Sequence, residues 1–107
     1  MNSSGQVISS DGEGAITTPT HAAVTVGATT TVAIASDATD IYRLFINDSN
    51  EVVYLKLGAA AVLNEGIRLN ASGGVYEMSR KLGNLYTGAV NCICTSGSKI
   101  LLVTSGA

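Results

Sequence analysis

The sequence predicts an all-β domain, a small antiparallel β-sandwich or a β-barrel or β-tulip of about eight short strands, preceded by a flexible N-terminal arm. Two observations lead there. From His21 onward, short runs rich in Val, Ile, Leu, Thr and Tyr alternate with Gly, Asn, Asp and Ser punctuation, and no stretch holds a helical period against this pattern. Summed, these runs make about eight short strands and no long helix, which fits a two-sheet sandwich or a small barrel.

Residues 1–20 read as an extended arm and residues 21–107 as a single β domain. The arm is rich in Gly, Ser and Thr, with apolar side chains only at scattered positions such as Val7, Ile8 and Ile16. Such a segment buries too little apolar area to offset the entropy of ordering, so it is expected to order on assembly, with "QVI" and "AIT" adding to a neighbour's sheet edge. "AAVTV" and "TTVAIA", separated by Gly27-Ala28, predict a hairpin of about residues 22 to 26 and 30 to 35. "DATD" reads as a turn, with Asp37 and Asp40 suited to bond local backbone N–H groups.

"DIYRLFIN" puts Tyr42, Leu44 and Ile46 on one face and Ile41, Arg43 and Phe45 on the other, so both sides are apolar and the strand reads as central. It is followed through "NDSNE" by "VVYLKLG", and the two predict a hairpin that forms the spine of the fold, with Asp48 and Asn50 in its turn. "AAAVL" reads as a single helical turn or a crossing connection. "GIRLN" and "VYEMS" are two more strands, with Gly66 leading into the first and Gly73 and Gly74 supplying positive φ between them. "AVNCICT" and "KILLVTS" flank Ser96-Gly97-Ser98, which predicts a tight terminal hairpin turning on Gly97.

Charged residues are 13% of the 107, against the roughly 25% usual in soluble domains, and mean hydropathy is +0.32. Few charges must cover much surface, which points to burial of part of the exterior against other protein, in a homo-oligomer or a larger assembly. A formal charge of −2 with no basic cluster argues against direct binding of nucleic acid. The longest apolar run, "LGAAAVL", is far short of the roughly 20 residues that cross a bilayer, and "MNSSGQVISSDGEG" lacks the regions of a secretion signal, so no membrane partner and synthesis in a cytoplasm are expected.

No residue set able to run a reaction is legible. His21 is the only histidine, no serine sits in a Gly-x-Ser-x-Gly turn, and the eight acids fall mostly in turns. Catalytic, cofactor and metal sites are therefore all expected to be absent. Asp48, Asn50 and Glu51 have the oxygen-rich chemistry a Ca²⁺ ion uses but lack a binding-loop frame, so turn formation is the better account. "NASGG" lacks the lysine and helix of a phosphate loop. Cys92 and Cys94, two apart on a strand, point to one face and read as buried free thiols. Three N-x-[ST] matches, at Asn2, Asn47 and Asn70, are expected to mark exposed segments rather than glycans.

The block "YRLFINDSNEVVYLKLGAAAVLNEGIRLNASGGVYEM" resembles a group of small structural proteins encoded in tailed-phage genomes. The resemblance is carried by the strand ending Asn47-Asp48-Ser49, "VVYLKLG", "LNEGIRL", the Gly73-Gly74 turn before "VYE", and "NLYTGAV", and it covers about residues 40 to 107. It implies a non-enzymatic virion component, a head decoration or cement protein on the outer surface of the head, binding the major capsid protein and its own copies as a trimer or a dimer. Val7, Ile8, Ile16, His21 and Tyr86 are then the candidate interface residues. The alternative is a tail- or neck-associated receptor-binding module, with Tyr86 in "GNLYTG" as its loop-borne aromatic.

Overall fold

The computed structural model describes residues 15–107. Eight strands form: β1 Pro19–Val26, β2 Thr31–Ile34, β3 Tyr42–Asn47, β4 Val53–Leu57, β5 Ile67–Leu69, β6 Val75–Ser79, β7 Val90–Cys94 and β8 Lys99–Gly106. They make two four-stranded antiparallel sheets, ordered β1-β8-β3-β6 and β2-β7-β4-β5. Each predicted strand is present, and no helix occurs among the described residues.

The pairings are nested. β1 pairs β8, β2 pairs β7, β3 pairs β6 and β4 pairs β5, as if the chain were one long hairpin with its tip between β4 and β5. Rolling that hairpin adds the contacts of β3 with β8 and β4 with β7, which close the two sheets. This is the strand order of an eight-stranded jelly roll. "AAAVL" is the connection at the tip, tied down where Asn91 Nδ2 donates to Ala59 O (2.6 Å) and Ala61 N to Thr30 Oγ1 (2.8 Å).

Three predicted hairpins are corrected by this topology. Residues 22–26 with 30–35, β3 with β4, and "AVNCICT" with "KILLVTS" are each consecutive strands that lie in opposite sheets, as are "GIRLN" and "VYEMS", expected only as two strands joined by a turn. Alternation along a strand reports which side chains face the core, and it is the same whether the next strand lies alongside or opposite. Short turns are therefore compatible with both, and only the nested pairing of distant strands decides. The start of the domain also shifts: Pro19 and Thr20 pair Gly106 and Ser105, and the N–H groups of Thr17 and Thr18 donate to Ala107 O at 2.7 and 3.0 Å.

Between the sheets, Val26, Phe45, Met78, Leu101 and Val103 meet Ala33, Val53, Leu55, Leu69, Val90, Cys92 and Cys94. β3 is central, as its sequence predicts, but its inward face carries Arg43 and Asn47 beside Phe45, all three fully buried. Arg43 uses its five donors on Asp40 Oδ2 (2.9 Å) and on the carbonyls of Tyr86 (2.9 Å), Gly88 (2.5 Å), Ala35 (3.1 Å) and Thr87 (3.1 Å). One guanidinium thereby fastens the β2–β3 and β6–β7 connections to the core.

Asn47 does the same at the other end. Its Nδ2 donates to the carbonyls of Glu51, Leu69 and Asn70, and its Oδ1 accepts from Ser49 Oγ at 2.6 Å. The expectation that Asn47-x-Ser49 marks an exposed segment holds for Asp48, which is exposed, but not for Asn47, which is fully buried and holds two loops together. Asn70 is exposed, and Asn2 lies outside the described residues.

The turn residues sort into different roles. Gly66 (φ 83°), Gly73 (φ 111°) and Gly97 (φ 78°) have positive φ. Gly74 does not, which corrects its predicted role. Its hydrogen is required instead by closeness, because a Cβ there would press on the backbone N and O of Asn70. Asp48 donates its N–H to Ile100 O (3.1 Å) and Asn50 Oδ1 accepts from Lys99 Nζ (2.8 Å). Glu51 accepts from Ser96 N and Oγ, both at 2.7 Å, and these bonds hold its carboxyl below the usual carboxylate range.

Cys92 and Cys94 are buried free thiols. Burial, with Cys94 nearby, pushes the Cys92 thiol up to about 12, and burial also raises Cys94. The folded chain then keeps a proton that an unfolded thiol loses at about pH 8.5. The sign follows: unfolding releases protons above that pH, so stability falls as pH rises from about 9 towards 12. We expect Cys92→Ala to flatten this decline in denaturant unfolding, and neither thiol to react with a thiol reagent in the native protein; prompt native labelling would contradict the burial.

Candidate functional site

The two outer faces of the sandwich differ in chemistry. On the β2-β7-β4-β5 sheet the outward rows are Val32–Asn91–Lys56 and Ile93–Tyr54–Arg68. Their polar groups are engaged locally, with Lys56 Nζ on Glu65 Oε1 and Tyr54 OH on Asn64 Oδ1, both at 2.8 Å. Although Val32 at its β2 edge is 56% exposed, that face is mostly polar.

The outer face of the β1-β8-β3-β6 sheet is not. The registers place Ala23, Leu102, Ile46 and Val75 side by side in one row across all four strands, with His21, Thr104, Leu44 and Glu77 forming the next row. Val75 is 56% and Leu102 37% exposed. A shallow cavity of about 360 Å³ opens on this face, lined by His21, Ala23, Ile46, Leu102 and Thr104. Glu77 is the only carboxylate on the two rows. It accepts from Tyr42 OH at 2.6 Å, a bond that pushes the phenol up to about 12. A four-strand apolar row open to solvent is the kind of patch that marks a protein contact.

His21 Nδ1 lies 3.0 Å from Thr104 Oγ1. A ring nitrogen beside a hydroxyl is the first element of an acyl-transfer pair, but such a pair also needs a group orienting the other nitrogen and donors for an oxyanion. Glu77 lies three strands away along the row, roughly 14 Å at ordinary strand spacing. A second, polar cavity of about 270 Å³ runs past Thr18, Thr20, Asp37, Thr39 and Asp40. Asp37 is occupied by Thr39 N (3.0 Å) and Oγ1 (2.6 Å), which lower its pKa, and Asp40 by Arg43. No group of three metal-ligating side chains occurs among the described residues.

Of the candidate interface residues, the structure brings His21 and Ile16 to the apolar face. Ile16 is half-buried, with Cγ2 in the space a side chain on Gly106 would occupy at the end of β8. Val7 and Ile8 lie outside the described residues. Tyr86 is elsewhere: its ring packs against Gly58, Gly88 and the core, its N–H meets Met78 Sδ at 3.4 Å and its carbonyl accepts from Arg43. Sequence reasoning missed Ala23, Leu44, Ile46, Val75 and Leu102 as surface residues, although the two-sided apolar pattern of "YRLFIN" and "KILLV" carried the signal.

No family model, curated protein or solved structure matches this chain. No helix among the described residues is long and apolar enough to cross a membrane.

Proposed function

We propose that this protein is a non-enzymatic structural component of a tailed-phage particle, a decoration or cement protein that binds the outer surface of the head shell and stabilises it. The observation that carries the assembly role is the uncharged row Ala23–Leu102–Ile46–Val75, which runs across all four strands of its sheet, whereas on the other sheet the exposed Val32 stands beside Asn91 and Lys56. The phage setting rests on the resemblance of residues 40 to 107. Its partners in this reading are the major capsid protein and further copies of itself, and affinity for the completed lattice comes from several weak contacts engaged together. The receptor-binding alternative needs Tyr86 as a free loop aromatic, and that ring is packed against the domain.

The test is made on purified particles. Copy number should scale with the capsomers, and particles lacking the protein should release their genome at a lower temperature. A handful of copies per particle would favour the tail or neck, and absence from particles would defeat the proposal.

A further inference from the structure

We infer that the outer face of the β1-β8-β3-β6 sheet docks a second copy of itself, in a two-fold pair that sets His21 of each chain against Glu77 of the other. The order of residues along the two rows makes this possible. Ala23, Leu102, Ile46 and Val75 run from β1 to β6, and His21, Thr104, Leu44 and Glu77 run in the same direction beside them. A two-fold axis parallel to the strands, passing between β8 and β3, lays each row over itself reversed. β1 then faces β6 of the second copy and β8 faces its β3.

Two complementarities follow from that single operation. In the apolar row, the protruding Val75 of one copy meets the recess at Ala23 and Leu102 of the other, and the reciprocal contact is made by symmetry. In the neighbouring row, His21 meets the second copy's Glu77, twice. His21 engages Thr104 through Nδ1, which leaves Nε2 to bond the opposing carboxylate. The facing sheets of a sandwich cross at about 30°, which at roughly 7 Å from the axis displaces paired positions by about 4 Å, within reach of a histidine and a glutamate. Between the two polar ends lie only Thr104 and Leu44, so each Glu77 carboxylate has a ring nitrogen opposite it to bond.

The size of the face sets the strength of the pair. Strands of 8, 8, 6 and 5 residues give a planar area of roughly 430 Å² per copy, about half the 800 Å² per partner of a standard interface. The free protein is therefore in a concentration-dependent equilibrium, and copies held side by side pair more completely. This inference rests on the reading of the face as a contact surface and not on the phage setting.

Sedimentation equilibrium on the full chain tests it across a concentration series. His21→Glu sets carboxylate against carboxylate and should weaken dimerisation by about tenfold or more, while His21→Glu with Glu77→Lys restores opposite charges in both pairs and should recover most of it. Circular dichroism checks that each variant is folded. A mixture of Ala23→Cys and Val75→Cys chains should cross-link on oxidation, and neither alone should do so. The two sites are roughly 14 Å apart within one chain, beyond the span of a disulfide. A monomer at every concentration, no recovery in the double variant, or equal self-linking of Ala23→Cys would overturn the pairing. If the chain stays monomeric but Leu102→Glu abolishes heat protection of particles, the face meets the shell instead: self-docking falls and the cement role stands. A dimer in solution with no protein on particles gives the converse.

Discussion

Replacing Arg43 with methionine is expected to remove about 3 to 5 kcal/mol of folding stability, the usual cost of breaking a buried ion pair from one side. The whole of a domain this size is worth only about 5 to 15 kcal/mol, so the variant should sit close to the edge of folding. The cause is specific to the geometry. Asp40 is 5% exposed and would be left charged without its partner, while the carbonyls of Ala35, Tyr86 and Gly88 lose the guanidinium together and Thr87 O keeps only the Asp37 N–H (2.8 Å). Lysine does not substitute, since three donors on one nitrogen cannot reach five positions spread around a planar group. Removing the charge of Asp40 as well, in Asp40→Asn with Arg43→Met, should recover only part of the loss, because the carbonyls of Ala35, Tyr86 and Gly88 still lack the guanidinium. Denaturant unfolding of the three variants measures this; a loss under about 1 kcal/mol for Arg43→Met would show that water replaces the guanidinium freely.

The second large effect is expected at the corner "NASGG". Gly74→Ala should destabilise by about 3 kcal/mol, the upper part of the range for forcing atoms into filled space. The new methyl would meet the backbone N and O of Asn70, groups fixed by the Gly74 N–H bond to Asn70 O (3.0 Å) and by the Asn47 bonds to the same corner. Gly73→Ala is the matched control. A methyl on Gly73 would point into open space, but the residue holds φ 111°, so its cost is backbone conformation alone, about 1 to 2 kcal/mol. The order of the two values is the test. If Gly73→Ala proves the costlier, conformation rather than closeness governs the corner.

These two sites show what the sequence conceals. The eight strands are legible because each has its own alternation and its own bounding turn, both of which are local. Arg43 looks like one more residue on the face shared with Phe45, since a period of two says that a side chain points inward and nothing about what waits there. The acid three residues earlier is the available clue to a buried pair. Gly74 invites a positive φ because glycines in turns commonly need one, whereas the requirement comes from a neighbour four residues back that only the folded corner brings close. The pairing of strands is illegible for a similar reason: a turn of four residues leads as easily across a sandwich as along a sheet.

The candidate face is half visible in the sequence. Leu44 and Ile46 opposite Arg43 and Phe45 give β3 two apolar sides, the usual mark of a strand covered on both. The strand is central within its sheet, yet one of its sides has no second layer. Composition points the same way, through the shortage of charge, without saying where the uncovered surface lies.

The nested pairing bears on how the chain is made. Only β4 and β5 pair with a sequence neighbour, while β8, the last of the eight to be synthesised, takes an inner place between β1 and β3. A growing chain on the ribosome therefore carries β1 and β3 without the strand that joins them, and the first sheet closes only after Lys99–Gly106 has emerged. Pairings of such long sequence separation are slow to form and leave edges open while they wait. With charged residues only 13% of the chain, that interval is the one in which the nascent chain depends most on being kept apart from its neighbours.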